Sequence, residues 1–309
     1  MKKTTSIKQL TTSQFDKMFP DENACRDFII TKRWPTGVCC PRCGNAKINP
    51  VKSMPYKWEC SACGAGNSYR FSVTVGTIFE NTNYSLREWF RVIHLMLTSK
   101  KGMSALQVHR MIGTGSYRTA WSMCHRIRTG LSEPSFQRLM GIVEVDETNV
   151  GGKARNRHKS KRGKDDDGKP KSGRGGPGSG KVAVIGAVAR NGALVTRMID
   201  EADTQTLDSF VRHVATPKVS TIVTDQHGGY RFLGDEFTHE VVRHDAKQYV
   251  IGAIHTNTIE GFWSLFKRGV IGTFHRVSRK YVPLYVAEFQ FRYNNRKNAD
   301  IFGAAIAAL

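Results

Sequence analysis

Three acidic residues stand where a folded chain could bring them together. Asp146 follows the segment 142–145, which is β-branched except for Glu144; Asp225 follows the β-branched run 221–224; and Glu260 stands in a sequence typical of a helix. A carboxylate at the end of a buried strand is costly unless it is paired or binds a cation. Phosphodiester chemistry uses two divalent cations about 4 Å apart, and Mg²⁺ prefers carboxylate oxygens. The three residues therefore predict a magnesium site that acts on phosphodiesters.

The predicted helix 256–267 carries further candidates beside Glu260. Asn257 stands three residues before Glu260 and Lys267 seven residues after it, so all three share one helix face. Lys267 could neutralise a phosphate beside the metals. His255 lies close enough to the helix start to contact DNA or water, or to cap the helix.

Two glutamates flank Asp146 and compete with it as candidate ligands. Glu144 points to the same side of the strand as Asp146, because side chains alternate along a strand, and is the more serious rival. Glu147 is the other. Any one acid alone is more often a turn cap or a surface charge. Two strand-end aspartates with a helical glutamate and a trailing lysine are much less expected by chance.

Four cysteines form two C-x-x-C-G segments with 16 residues between them, at Cys40, Cys43, Cys60 and Cys63. This spacing is typical of a four-thiolate zinc site. Four protein ligands leave no open position for water, so we expect one structural Zn²⁺. Cys39 is a rival ligand that breaks the x-x spacing.

The charge of the chain indicates a polyanionic partner. Its 309 residues include 47 Lys and Arg against 26 Asp and Glu, for a formal net charge of +21, which favours nucleic acid. The longest apolar stretch, 182–189, is far below the roughly 20 residues that span a bilayer. We expect no membrane association. The start of the chain has no apolar signal region, which predicts a cytoplasmic protein.

The elements that must position these residues fall into three predicted regions, which make a multidomain α/β protein. Residues 1–82 hold the zinc ribbon, at about 36–76, and residues 83–137 predict a helix-turn-helix. Ser85 and Glu88, three residues apart, predict a capping box at the start of a helix in the second region. Residues 138–309 predict a mixed α/β sheet: three strands in hairpin order, then helix, strand, strand and helix. This region includes a basic, Gly- and Ser-rich segment, 153–181, that we expect to be a mobile loop.

The candidates for DNA contacts are basic residues of the second helix of the predicted helix-turn-helix, of the loop, and of the end of the helix that carries Glu260. They are Arg118, Arg126, Arg128, Lys159, Lys161, Arg162, Lys267 and Arg268. Phosphate contacts of this kind make binding fall with added salt.

Several short segments together resemble a known family. They are Val145-Asp146-Glu147-Thr148 with Gly151-Gly152, Thr224-Asp225, His255-Thr256-Asn257-Thr258-Ile259-Glu260-Gly261-Phe262-Trp263, and Lys267-Arg268-Gly269. With the two cysteine segments, they make the chain resemble DDE transposases of the insertion sequence 1595 family, which carry an N-terminal zinc ribbon. The resemblance extends over roughly residues 20–300.

The resemblance implies an RNase H-like catalytic domain that uses two Mg²⁺ or Mn²⁺ ions. The catalytic acids would be Asp146, Asp225 and Glu260, with Lys267 as the accompanying basic residue. Related groups use asparagine in the third acidic role, so Asn257 is the alternative to Glu260. The substrates would be double-stranded DNA: the terminal inverted repeats of a mobile element and its target.

The same resemblance implies that the protein cuts the element ends and joins the freed 3′-hydroxyl to target DNA. A homodimer or higher oligomer on DNA, associated with the nucleoid of a prokaryotic cell, would bring two ends together. Two alternatives stay open at this point. One is a zinc-ribbon and helix-turn-helix regulator without catalysis, and the other is a metal-dependent nuclease without strand transfer.

Overall fold

The chain folds into two units. The computed structural model describes residues 10–63, 69–132, 136–151, 181–242 and 255–309. One unit comprises Met1–Leu131 with Arg296–Leu309, and the other comprises Ser132–Asn295. The basic segment predicted as a mobile loop lies outside the described residues, apart from Lys181.

The first unit begins with two helices and a small sheet. Its elements are α1 (Thr12–Met18), α2 (Glu22–Arg33), β1 (Asn49–Pro50), β2 (Lys57–Cys60) and β3 (Tyr69–Ser72). The three strands are antiparallel in the order β1-β2-β3. This small sheet carries the second cysteine segment at the end of β2.

Three further helices follow: α3 (Leu86–Thr98), α4 (Ala105–Ile112) and α5 (Tyr117–Gly130). The predicted capping box at the start of α3 is confirmed, since the Glu88 amide donates to Ser85 Oγ at 3.2 Å and the Ser85 amide to Glu88 Oε2 at 2.9 Å. Gly113 ends α4 with a φ of 72°, a left-handed conformation that favours glycine. Helices α4 and α5 are therefore joined by a short turn that begins at Gly113.

The last helix, α9 (Ile301–Ala308), belongs to the first unit. The predicted catalytic region ran to residue 309, so the structure differs from the prediction here. The reason is packing, because Phe302 of this almost wholly apolar helix lies 5.4 Å from both Phe19 and Phe90, measured between ring centroids. The aromatic core of the first unit buries it.

The second unit contains the predicted mixed sheet, which has five strands and carries helices on both faces. Its elements are β4 (Leu139–Val150), β5 (Val182–Ala189), β6 (Leu194–Ile199), α6 (Thr204–Val214), β7 (Ala215–Thr224), β8 (His239–Val241), α7 (Asn257–Gly269) and α8 (Val282–Asn294). The strand order is β6-β5-β4-β7-β8, with β4, β5 and β6 antiparallel and β7 and β8 parallel to β4. Strand β4 is therefore central.

The alternation of side chains along β4 assigns its residues to two cores. Val143 and Val145 pack with α6 on one face. Val150 packs with α7 and α8 on the other. Asp146 shares the second face with Glu144, because both are an even number of residues from Val150. In the described ranges, no helix combines the length and apolar character needed to cross a bilayer.

Candidate active site and zinc site

Asp146 lies inside the central strand β4, four residues before its end at Val150, and not at a strand end as predicted. The strand continues because its pairing with β5 extends to Val150 and Val182. Burial first, and then the negative charges of Glu147, Asp225 and Glu260, raise the pKa of its carboxyl from 3.8 to about 7. These charges act on Asp146 only because the fold brings the carboxylates near it. The two other acids of the predicted set are both among them.

Asp225 follows the parallel strand β7 directly. Glu144 of β4 pairs with Val223 of β7, so two residues farther along each strand Asp225 comes level with Asp146. Neighbouring strands are about 4.8 Å apart. The Asp225 carboxylate accepts a hydrogen bond from the backbone amide of His227 at 3.0 Å, which orients it.

Glu260 lies in the first turn of α7 and is exposed. Thr256 Oγ1 donates to Glu260 Oε1 at 2.6 Å. Asn257, the alternative third ligand, is exposed at the first position of the helix. Lys267 and Arg268 lie in its last turn, also exposed.

Helix α7 approaches the sheet closely beside Asp146. The cross-strand partner of Asp146 is Gly186 of β5. A Cβ atom at Gly186 would lie 2.7 Å from Trp263 Cζ2 and 3.1 Å from Ile259 Cδ1. Glycine is thus what allows the helix that carries Glu260 to lie directly over this part of the sheet.

Glu144, the main rival of Asp146, is fully buried and its carboxylate is fully engaged. Its Oε2 accepts from the amides of Thr258 at 2.8 Å and Ile259 at 3.1 Å. Its Oε1 accepts from Thr258 Oγ1 and from Arg190 Nε, each at 2.8 Å. His255 Nδ1 lies 3.3 Å from the same oxygen. Each oxygen of Glu144 already accepts two hydrogen bonds, so we retain Asp146 as the candidate metal ligand.

Glu147 faces the opposite side of the sheet from Asp146. Tyr230 Oη donates to Glu147 Oε2 at 2.6 Å, and His227 Nε2 lies 3.9 Å from Glu147 Oε1. Burial raises the pKa of Glu147. No sequence pattern pointed to Arg190 or Tyr230 as partners of these glutamates. The signal was the position of each glutamate on a central strand, where Glu144 is buried and Glu147 is partly buried.

The four predicted zinc ligands come together in the first unit, with all four sulfur atoms within 4.8 Å of one another. Cys40 Sγ lies 3.6 Å from Cys63 Sγ, and Cys43 Sγ lies 3.7 Å from Cys60 Sγ. Zinc at about 2.3 Å from each sulfur gives a tetrahedron with edges of about 3.8 Å. The thiolates fit a structural zinc ion.

The backbone of the first cysteine segment turns tightly around this point. Gly44 has a φ of 74°. Its amide donates to the Cys40 carbonyl at 2.8 Å, as a metal-binding knuckle requires. Cys39, the rival ligand, is not part of the sulfur cluster.

Within the described part of the chain, the cysteines are the one group of three or more His, Cys, Asp or Glu residues close enough to hold a single metal ion. The three carboxylates are therefore spaced more widely than the thiolates. A pair of ions about 4 Å apart distributes its ligands over two centres, and Mg²⁺ keeps several waters. Wider spacing is compatible with such a pair.

The structure separates the predicted DNA contacts of α5. Arg118 is exposed in the first turn. Arg128 is only 1% exposed, because its helix face packs inside the first unit. Arg126 is half-buried and donates to the Glu80 carbonyl at 3.0 Å. Of these three arginines, Arg118 therefore remains a candidate DNA contact, and Arg126 and Arg128 do not. The loop candidates lie outside the described residues: Lys159, Lys161 and Arg162.

Comparison with known proteins identifies two family domains in the chain. Residues 138–294 match the family described as ISXO2-like transposase domain, and residues 20–66 match the transposase zinc-ribbon domain. The chain belongs to the insertion sequence 1595 family of transposases. The first match covers the whole mixed sheet with α7 and α8, and therefore all three acids of the transposase.

One curated relative spans nearly all of the transposase. It is described as an uncharacterized protein in transposable element ISH50 of Halobacterium salinarum, and is 28% identical over 284 residues, 89% of this chain and 92% of the relative.

Two solved structures are more distant. A simian T-cell lymphotropic virus intasome in complex with PP2A regulatory subunit B56 gamma is 13% identical, with a TM-score of 0.28, over 66% of this chain and 65% of that chain. A pre-cleavage Mos1 transpososome is 12% identical, with a TM-score of 0.25, over 71% and 78%. Likenesses this weak do not establish a shared fold.

Proposed function

We propose that this transposase binds the terminal inverted repeats of an insertion sequence, cleaves DNA at the element ends, and joins the 3′-hydroxyl to target DNA. The observation that supports the proposal most directly is the register of β4 and β7, which brings Asp225 level with Asp146 beside the helix that carries Glu260. The raised pKa of Asp146 agrees with it. Several carboxylates close together in a partly buried site repel one another, and a bound cation would neutralise their charge. Family membership supplies the class of reaction.

Asp146, Asp225 and Glu260 would hold two divalent cations, Mg²⁺ or Mn²⁺. When bound, such cations activate the attacking oxygen and stabilise the leaving oxygen of a phosphodiester. The donor set fits hard cations, since it consists of carboxylate oxygens only. Asp146 must be ionised to act as a ligand, so protons compete with the cations up to about pH 7. Thr256 orients Glu260 by its hydrogen bond.

Basic residues beyond the acids would hold the DNA. The segment 267–280 contains five Lys and Arg residues and no acidic residue, and all five are exposed: Lys267, Arg268, Arg276, Arg279 and Lys280. It directly continues the helix that carries Glu260. Such a surface fits the phosphate backbone.

The first unit would recognise the element ends. Helices α4 and α5 would act as the helix-turn-helix, with Arg118 in the groove or on its backbone, and the zinc ribbon would add phosphate contacts. Joining two ends requires two copies of the protein or more. We expect the complex to form on the chromosome, in the nucleoid of a prokaryotic cell.

The test is an incubation of the protein with labelled end-containing DNA, a target plasmid and Mg²⁺. We expect nicked ends and joined products from the wild type. Asp225→Asn should bind the DNA and lose both cleavage and joining. Asp235→Asn, which removes an exposed aspartate of the same unit, is the matched control and should retain both.

Each other outcome has a definite meaning. Wild-type binding without cutting would make the protein a regulator, and cutting without joined products would make it a nuclease. A fully active Asp225→Asn variant would refute the site assignment.

A further inference from the structure

The first turn of α7 lacks a cap of its own. The amides at the start of a helix have no partner within the helix, and a side chain just before it usually accepts from one of them. Thr256 stands at that position, but its side chain makes no capping hydrogen bond. It donates to Glu260 instead, at 2.6 Å.

Glu144 supplies the missing acceptor from the sheet. Its Oε2 accepts from the Thr258 and Ile259 amides at 2.8 and 3.1 Å, across 114 and 115 residues of sequence. Its Oε1 accepts from Thr258 Oγ1 at 2.8 Å. A negative charge is also favourable at the positive end of the helix dipole. A fully buried carboxylate thus fixes the helix start to strand β4.

Arg190 completes this contact from the neighbouring strand pair. Its Nε donates to Glu144 Oε1 at 2.8 Å, and its Nη2 donates to the His255 carbonyl at 2.9 Å. Its own backbone amide donates to the Ile142 carbonyl on β4 at 3.0 Å. One guanidinium therefore joins the strand, the carboxylate and the residue that leads into α7.

These bonds fix the spacing of two proposed metal ligands. Asp146 stands two residues after Glu144 on the same strand face, about 6.7 Å along the strand. Glu260 stands two residues after Thr258, about 3 Å along the helix. The contact between Glu144 and Thr258 therefore joins the strand that carries Asp146 to the helix that carries Glu260, two residues from each acid.

We infer that Glu144, held by Arg190, is a positioning residue that locks the first turn of α7 to β4 and thereby aims Glu260 at Asp146. The inference rests on the proposed function for its consequence, since the aim matters only if both acids hold cations. Glu144 itself contacts neither substrate nor metal. Glu144 shares a strand face with Asp146 because side chains alternate along a strand, and not because it is one of the metal ligands.

The test compares Glu144→Gln with Leu207→Ala. Glutamine keeps the length of the side chain but loses the charge and one acceptor oxygen. Leu207 is fully buried in the core on the opposite face of the sheet, so its truncation lowers stability without contacting α7. The two variants are compared at temperatures where both are folded.

Two measurements are made on the full chain. In the first, hydrogen exchange of the Thr258 and Ile259 amides is followed without DNA or metal. In Glu144→Gln we expect these amides to exchange at least about tenfold faster, because each loses a hydrogen bond to a charged acceptor. In Leu207→Ala we expect any increase in their exchange rate to be no larger than the increase at other amides of the protein. In the second, end cleavage at saturating DNA is followed against Mg²⁺ concentration. Glu144→Gln should cleave at least about tenfold more slowly and need more Mg²⁺, with DNA binding intact.

The results separate the inference from the proposed function. Unchanged exchange at Thr258 and Ile259, or cleavage no slower than in Leu207→Ala, overturns the positioning role. If the wild type does not cleave DNA, the proposed function fails while the exchange result still decides whether Glu144 locks the helix. If Glu144→Gln does not fold, Arg190→Lys replaces it. That variant keeps the charge but cannot bridge Glu144 and the His255 carbonyl, and should show the same two effects more weakly.

Discussion

The pKa of Asp146 makes the stability of the second unit depend on pH in a defined direction. Because the folded protein raises this pKa from 3.8 to about 7, it binds the Asp146 proton more tightly than the unfolded chain does. Stability therefore falls as pH rises from about 4 to about 7, and this contribution is constant outside that window. Most paired aspartates have the opposite effect, since partners that favour the charged form lower their pKa.

The size of the effect follows from the shift. A rise from 3.8 to about 7, at about 1.4 kcal/mol for each pH unit, is worth about 4 kcal/mol. The side chain is only partly buried, and solvent screening reduces the cost to about 2–4 kcal/mol. For a unit of this size, that is a change in melting temperature of about 6–12 °C.

Asp146→Asn removes the charge that carries this cost. In buffer free of Mg²⁺ and Mn²⁺ at pH 8 the variant should therefore melt about 6–12 °C above the wild type, and at pH 4 the two should melt together. Mg²⁺ should raise the melting temperature of the wild type at pH 8, because a cation relieves the same repulsion, and should have much less effect on Asp146→Asn. Scanning calorimetry between pH 4 and 8 measures both.

Asp235→Asn is the control, since it removes an exposed aspartate of the same unit. It should not produce a gain that grows with pH. If Asp146→Asn is no more stable than the wild type at pH 8, the carboxylates do not converge on Asp146, and the reasoning for the metal site is refuted.

Three further predictions concern the remaining parts of the molecule. Elemental analysis should find one zinc per chain in the wild type and in Cys39→Ser, but none in Cys43→Ser. The first unit of Cys43→Ser should also melt at a lower temperature. Zinc retained in Cys43→Ser would contradict the assignment of the zinc ligands. Gly186→Ala should lose about 1–3 kcal/mol of unfolding free energy, because the added methyl group forces α7 away from the sheet. Gly234→Ala should lose much less, since a methyl group there meets nothing within 4 Å. Equal losses in the two variants would show that Gly186 is not needed for the close approach of α7. Arg118→Gln should weaken DNA binding and reduce the slope of log K against log salt by about 0.9, and an unchanged slope in a binding titration would remove this residue from the contacts.

Local pattern was enough to predict the parts of the fold that depend on local chemistry. The cysteine spacing predicted the sulfur cluster, because each C-x-x-C segment forms a short turn that brings its two thiolates together. The capping box of Ser85 and Glu88 was readable because both partners lie within one turn. The mixed sheet followed from strand periodicity, and with it the placing of Asp146 and Asp225 on neighbouring strands.

The features that the sequence did not predict depend on contacts between distant segments. Glu144 looked like a ligand because it shares a strand face with Asp146. Its carboxylate is instead bound by amides more than a hundred residues away. Arg128 looked like a DNA contact because a helical arginine is usually exposed, and only the packing of the first unit shows it buried. Helix α9 packs with the first unit because Phe302 fills an aromatic core that no local pattern reveals.

The central claim is that Asp146, Asp225 and Glu260 together hold the divalent cations that cleave DNA. Its most direct test is an anomalous difference map from crystals of the protein with element-end DNA and Mn²⁺. We predict two manganese peaks about 4 Å apart, bound by oxygens of these three carboxylates and next to the cleavable phosphate. Manganese bound elsewhere, or peaks that exclude Asp146 and Asp225, would contradict it.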